Sequence, residues 1–305
     1  MSKKTLDCWK PSTRNKGGSF KSFDNTGKGI NALLRWMPEG GHVVLEATGC
    51  YGEALVLMCH DLGVAVSVVN PKSVRDLAKA YGQHAKTDKI DAELIARFAE
   101  AVNPEPLQKP TKAQMALRSL VDLREGLVDE RTRHLCRLAA ERNPAARAHL
   151  EATIAHHNKT IAAIEKQIDA LIASCPKMAA MRRELRKIPG IGPVISATLI
   201  ALLPELGTLS RKQAAALCGL APYAQDSGAK KGKRFILGGR AKLRRRLYMG
   251  AVAAVRTRTP LAAQHKAMVG RGKLKKVSLI AVARKLAIRA NTLCKPLASL
   301  QYAND

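Results

Sequence analysis

Two aspartates three residues apart, Asp88 and Asp91, head the segment AKTDKIDAELIARF, residues 85–98. A helical apolar pattern follows them, through Ile90, Leu94, Ile95 and Phe98. Residues three apart share one face of a helix, so both carboxylates leave its first turn on the same side. One chemistry for them is structural: Thr or Asp ahead of a helix satisfies free backbone N–H groups, and acid in the first turn suits the helix dipole. The other is a divalent cation, held by hard oxygen donors. A third carboxylate, Glu46, lies in the apolar run HVVLEATG, residues 42–49. Three such groups at one sheet edge are the ligand type that phosphodiester cleavage with Mg²⁺ requires. Two ions about 4 Å apart can stabilise both the attacking and the leaving oxygen. On these residues alone both chemistries stay open.

The elements that must position these groups read as an α/β unit. HVVLE is a short buried strand closed by Thr-Gly, YGEALVLMCHDLG an amphipathic helix with a glycine stop, VAVSVVNP a second β-branched strand, and KSVRDLAKAYG another helix. Strand, helix, strand, helix implies a parallel pair, whose functional groups sit at the carboxyl ends of the strands. The proline-rich VNPEPLQKP, residues 102–110, reads as a linker. Beyond it, Met115, Leu117, Leu120, Leu123 and Leu127 mark one long helix. After Pro144, the residues Ile154, Ile161, Ile164, Ile168 and Leu171 mark another at heptad-like spacing, which predicts a helical hairpin or coiled coil. From Met181 the chain reads as all-helical. The expected organisation is three regions: 1–101, 102–180 and 181–305.

Charge is distributed unevenly among these regions. The 305-residue chain carries a net charge of +28, and residues 181–305 hold 26 basic against 4 acidic side chains. Between Ser227 and Lys295 there is no acid at all. Such a surface repels itself unless it meets a polyanion, and phosphate contacts make nucleic acid the expected partner. Aromatics are only 4% of the residues, which argues against single-strand binding by base stacking. The 7 cysteines are scattered, with no C-x-x-C spacing, and read as reduced buried thiols rather than a zinc site. His156 and His157 read as surface residues. No signal peptide or spanning apolar run is evident, so a cytoplasmic, nucleoid-associated protein is expected, with no membrane partner.

Within the basic region, KIPGIGPVISATLIALL, residues 187–203, has a helix-hairpin-helix pattern. Gly190 and Gly192 would let backbone N–H groups approach a phosphate at a helix start. The segment 219–251 supplies Lys230, Lys231, Lys233 and Arg234 in a loop, then Arg244, Arg245 and Arg246 on a helix. A later helix, 274–293, carries Lys275, Lys276, Arg284, Lys285 and Arg289. All are candidates for nucleic-acid contact, and Arg244 and Arg245 are expected to contribute to the salt dependence of binding. Ser227, in Asp-Ser-Gly, reads by its own context as a turn residue.

Taken together, SKKTLD (2–7), LEATGCY (45–51), VVNP (68–71), KTDKIDAELIARF (86–98), IPGIGPVISA (188–197) and GLAPYAQDSG (219–228) resemble the DEDD-type insertion-sequence transposases. The resemblance runs in order over almost the whole chain. It implies a RuvC-like (RNase H-like) N-terminal domain, a helical coiled-coil middle and an all-α C-terminal domain with a helix-hairpin-helix element. It further implies bridge-RNA-guided recombination of donor and target DNA, two Mg²⁺ ions, and a dimer or tetramer that contacts through the helices of 111–175. The family's metal ligands are Asp, Glu, Asp, Asp; the last three fall on Glu46, Asp88 and Asp91. The first, on the opening strand just ahead of the Ser-Lys that matches Ser2-Lys3, has no counterpart, and Asp7 matches a different position. The resemblance therefore implies a missing first strand and a weakened metal site, from a late start codon or a truncated copy. It also makes Ser227 the nucleophile, with Lys230, Lys231 and Lys233 neutralising the phosphate. The competing expectations are a metal-dependent junction nuclease in which Ser227 is only a turn residue, and an inactive remnant that binds nucleic acid without cutting it.

Overall fold

A computed structural model describes residues 2–12, 17–47, 49–83, 85, 87–228 and 232–300. The chain divides into two compact units, Met1–Lys109 and Pro110–Asp305.

The first unit opens with an antiparallel hairpin, β1 (Thr5–Pro11) and β2 (Gly18–Asp24), registered Thr5 to Asp24 and Pro11 to Gly18. Helix α1 (Gly27–Trp36) follows, its first turn closed by the Thr26 hydroxyl, which accepts from the Gly29 N–H. Then come β3 (His42–Glu46), a 3-10 turn, α2 (Glu53–Asp61), β4 (Ala65–Val69), α3 (Pro71–Ala80) and α4 (Asp88–Val102). β3 and β4 are parallel, with Glu46 opposite Val69, as the β-branched runs and the intervening helix predict.

Alternation along β3 buries both of its faces. Val43 and Leu45 join Leu6, Phe23, Ile30, Leu33, Leu55 and Val66 in one apolar layer. Val44 packs into a second layer with Val69, Val74, Ala78, Leu94 and Phe98, alongside Ile90 and Ile95. Among the described residues no ladder joins the β1–β2 hairpin to the β3–β4 pair. Helix α4 instead packs against both β1 and β3. The linker straps β4. The Leu107 N–H donates to the Val66 carbonyl at 2.8 Å, the Ser67 hydroxyl donates to the Glu105 carbonyl at 2.7 Å, and Lys109 pairs with Asp61 at 2.8 Å.

The second unit is helical: α5 (Lys112–Ala140), α6 (Pro144–Ser174), α7 (Pro176–Arg186), α8 (Pro193–Leu202), α9 (Arg211–Leu217), α10 (Ala241–Ala254), α11 (Pro260–Gly270) and α12 (Lys275–Cys294). Its helix starts are written in the sequence. Thr111 and Gln114 form a capping box on α5, Ser210 and Gln213 another on α9, and Asn143 caps α6 ahead of Pro144. Leu185, Ile188, Leu199, Leu220, Leu243, Leu247 and Leu286 are core residues of one cluster that also takes in Leu117 and Ile168 of the α5–α6 hairpin. Buried Asn291 ties α12 to the 207–209 turn: its Oδ1 accepts from the Gly207 N–H at 2.8 Å and its Nδ2 donates to the Leu209 carbonyl at 2.7 Å.

Two details depart from expectation. The region after Met181 is not wholly helical, because β5 (Pro222–Tyr223) and β6 (Phe235–Ile236) pair antiparallel and close the neck of the loop between them. His157 is not a plain surface residue, because its ring stacks on His134 across the α5–α6 hairpin, centroids 5.5 Å apart.

Candidate active site and nucleic-acid interface

Capping at the head of α4 falls to Thr87. Its Oγ1 accepts from the Ile90 N–H at 3.2 Å. That leaves Asp88 and Asp91 in the first turn without the capping task, Asp88 exposed and Asp91 half-buried. Glu46, at the carboxyl end of β3, is half-buried. Side chains two apart on a strand share a face, so Glu46 points to the same side as Val44. Its cross-strand neighbour Val69 lies in the layer that contains Leu94 and Phe98 of α4. Glu46 therefore stands on the side of the sheet that packs on α4, the helix whose first turn carries Asp88 and Asp91. Their chemistry, all hard oxygen donors, suits a divalent cation. Among the described residues no group of three or more His, Cys, Asp and Glu side chains is gathered closely enough to hold one.

Ser227 lies in the second unit, exposed, on the loop between β5 and β6, and Gly228 after it takes the left-handed conformation at φ +53°. The residue before it anchors the loop. Asp226 accepts a forked pair of hydrogen bonds from Arg234 at 2.7 and 2.9 Å and a third from the Gly232 N–H at 2.9 Å. The Arg234 hydrogen bond holds the Asp226 carboxyl below its ordinary range. A Cβ on Gly232 would sit 1.9 Å from the Gln225 carbonyl oxygen, so glycine is required where the two sides of the loop cross. Lys233 is exposed beside this clip, whereas Lys230 and Lys231 lie outside the described residues.

The two turn glycines differ in role. Gly190 has φ +89°, and a Cβ there would meet the Gly250 carbonyl oxygen at 2.2 Å. It lets the α7–α8 turn press onto α10. Gly192 precedes Pro193 at the start of α8 with open space about it and no side-chain cap. On α7, Arg182, Arg183, Arg186 and Lys187 line a basic hollow that the charge runs did not single out. Arg182 is engaged by Asp169 at 2.6 Å and Lys187 by Glu184 at 2.7 Å.

Each arginine of α10 has a partner within the chain. Glu125 of α5, fully buried, accepts from Arg246 Nε at 2.6 Å and from Arg245 Nη2 at 3.0 Å, with Arg124 at 3.6 Å. Asp129 takes a second Arg245 nitrogen at 3.1 Å, and Asp122 pairs with Lys242. Arg244 donates to the Gly238 carbonyl at 2.8 Å. Arg240 forks onto Glu205 at 2.6 and 2.7 Å. Burial pushes the Glu205 carboxyl up, but the Arg240 hydrogen bond and charge outweigh it and hold the group below its ordinary value. Lys275 and Lys276, by contrast, are exposed and in no ion pair among the described residues. Arg245→Ala is accordingly expected to leave the slope of log affinity against log salt within about 0.3 of the parent, well short of the 0.9 assigned to one phosphate contact. Filter binding between low and physiological salt measures it; a loss near 0.9 would put Arg245 on the nucleic acid.

Comparison with known proteins gives concordant matches. Residues 3–141 match the DEDD transposase family of the IS110 type, described as a transposase. Residues 182–266 match the transposase family IS116/IS110/IS902. A pilin gene-inverting protein of Moraxella lacunata is 32% identical over 279 residues, covering 87% of this chain and 85% of that protein. A pilin gene-inverting protein of Moraxella bovis matches to the same extent.

Proposed function

The chain belongs to the IS110-type DEDD transposase family, and we propose that it cuts and exchanges DNA strands for an insertion sequence, guided by a structured RNA, with carboxylate-held Mg²⁺ and Ser227 as nucleophile. Family membership makes it a DNA transposase of the site-specific recombinase class, and the family's DEDD carboxylates imply a divalent metal. The observation that carries the finer reading is at the head of α4. Glu46 ends the strand whose Val44 packs on α4, and Asp88 and Asp91 open that helix, its cap supplied by Thr87.

Glu46, Asp88 and Asp91 would hold the metal, which when bound neutralises charge on the phosphate under attack. The chain's own groups do the rest. Ser227 Oγ forms a bond to the scissile phosphorus and gives up its proton to solvent. The DNA P–O ester bond breaks, and the departing sugar oxygen takes up a proton. The phosphoserine ester keeps the bond energy for rejoining. Asp226, fixed by Arg234 and Gly232, holds the loop that presents Ser227, and Lys233 lies beside it to meet phosphate. Gly192, with its open helix start, and the exposed Lys275 and Lys276 serve nucleic-acid contact.

β1 and β3 both pack on α4, yet no ladder joins them among the described residues. Self-association through α5 and α6 is favoured by their distal half, where no residue from 126 to 160 is fully buried.

The deciding experiment is trapping of the covalent adduct. The protein supplied with its guide RNA, a divalent metal and labelled DNA should yield a denaturation-resistant protein–DNA species. Ser227→Ala should abolish it and lower strand cleavage by about 10⁴-fold or more. Full cleavage by Ser227→Ala would establish a hydrolytic nuclease instead, and binding without cleavage by the parent would establish an inactive remnant.

A further inference from the structure

Leu274 has three-quarters of its surface open to solvent, at 75%, more than any other large apolar residue among those described. It occupies the N-cap of α12, where no side chain caps the helix. Leucine is among the poorest residues for that position, and serine or aspartate would stabilise it. Val277, three residues on and 49% exposed, lies on the same side of the first turn. An apolar ridge therefore stands at a helix end where local stability asks for a polar group.

Its surroundings are cationic. Residues 271–277, RGKLKKV, are all exposed, and four of the seven are Arg271, Lys273, Lys275 and Lys276. None is in an ion pair among the described residues, and the sequence has no acid between Ser227 and Lys295 to pair with them. The ridge is not a frayed end. Ser278, directly after Val277, is fully buried and its hydroxyl lies 2.8 Å from His265 Nδ1 of α11. Val282, Ala283 and Leu286 then anchor α12 in the core. The knuckle between α11 and α12 thus presents two apolar side chains and four cations from a rigid base.

We propose that this knuckle grips and kinks duplex DNA: its cations hold phosphates on either side while Leu274, backed by Val277, wedges between base pairs. Charge complementarity selects a polyanion. The apolar ridge selects one with a stack that can be opened, since partly unstacking a base step lets an apolar side chain enter and bends the duplex. The inference rests on the reading that the chain handles DNA, but not on how it cuts it. All measurements therefore use a Ser227→Ala background without divalent metal, so that neither the serine route nor metal-dependent hydrolysis cuts the probe.

The probe is a mixed-sequence duplex of about 30 base pairs, short against the persistence length, with a fluorophore at each end to report bending. The parent is expected to bend it. Leu274→Ser should abolish most of the bend and weaken binding several-fold, leave the salt slope unchanged, and keep or raise the melting temperature through the new cap. Lys275→Ala with Lys276→Ala should flatten the salt slope by about 1.8, about 0.9 for each lost phosphate contact, with the residual complex still bent. A parent that binds the duplex without bending it overturns the proposal. So does a folded Leu274→Ser protein that bends DNA as the parent does, and so does a Leu274→Ser protein that loses self-association while its bend is intact, which would assign the ridge to a second copy. A parent that binds no duplex at all refutes the DNA-handling reading itself.

Discussion

Glu125→Gln is expected to lower the melting temperature by about 10 °C. Removing one partner of a buried ion pair costs about 3–5 kcal/mol, and about 1 kcal/mol moves a domain of this size by 2–4 °C. Burial and the number of cations involved set the size of the effect. The Glu125 side chain is only 3% exposed, and it faces Arg246, itself 17% exposed, together with Arg245 and Arg124. With glutamine the shape persists but the charge does not, so the largely buried Arg246 loses its counter-ion, whereas Arg245 keeps Asp129 and Arg124 keeps Glu165. Arg245→Ala is the control. That side chain is 48% exposed, water replaces it, and the cost should stay near 1 kcal/mol or less. Scanning calorimetry decides. Equal shifts for the two variants would mean that the cluster acts as an ordinary surface network and does not fasten α5 to α10.

The second large effect is chemical. Asp88→Asn with Asp91→Asn should reduce strand exchange by about 10³-fold or more while leaving duplex affinity within about two-fold. Carboxylates that hold a metal act on the charge that develops at the phosphate, whereas affinity comes from cations elsewhere in the chain. Asparagine keeps the size and the helix start. Thr87→Ala is the contrasting variant: it removes the cap, at about 1 kcal/mol of stability, and should spare exchange at temperatures where the unit stays folded. A parallel fall in exchange and affinity for the aspartate pair would show that these residues maintain the fold and do not take part in the chemistry.

Much of this was legible in the residues, for local reasons. β3 and β4 follow from β-branched runs, and the starts of α5, α6 and α9 from Thr-x-x-Gln, Asn-Pro and Ser-x-x-Gln signals. The hairpin β1–β2 was passed over because TLDCWKP and GSFKSFD mix polar and apolar residues, and they become strands through pairing with each other. Glu125 was invisible for a different reason. Its partners lie about 120 residues downstream, so Asp122, Glu125 and Asp129 read as a solvated helix face, and Arg245 and Arg246 as free charge for nucleic acid. At α4 the residue types admit two chemistries; the Thr87 hydroxyl contact assigns the cap, and it leaves both roles open to Asp88 and Asp91. Whether the carboxylates gather around an ion depends on side-chain and strand placement that periodicity does not encode.

The strap of residues 104–107 along β4 bears on how the molecule behaves at high concentration. A sheet margin with unsatisfied peptide groups is a template on which another chain can stack, and it is a common route to fibrous aggregates. Here the Val66 carbonyl is already taken by Leu107 and the Ser67 hydroxyl by Glu105. Pro104 and Pro106 alternate with those contacts and offer no N–H to a newcomer. A segment that separates two units in the chain thereby also serves as the guard against intermolecular sheet growth on that side.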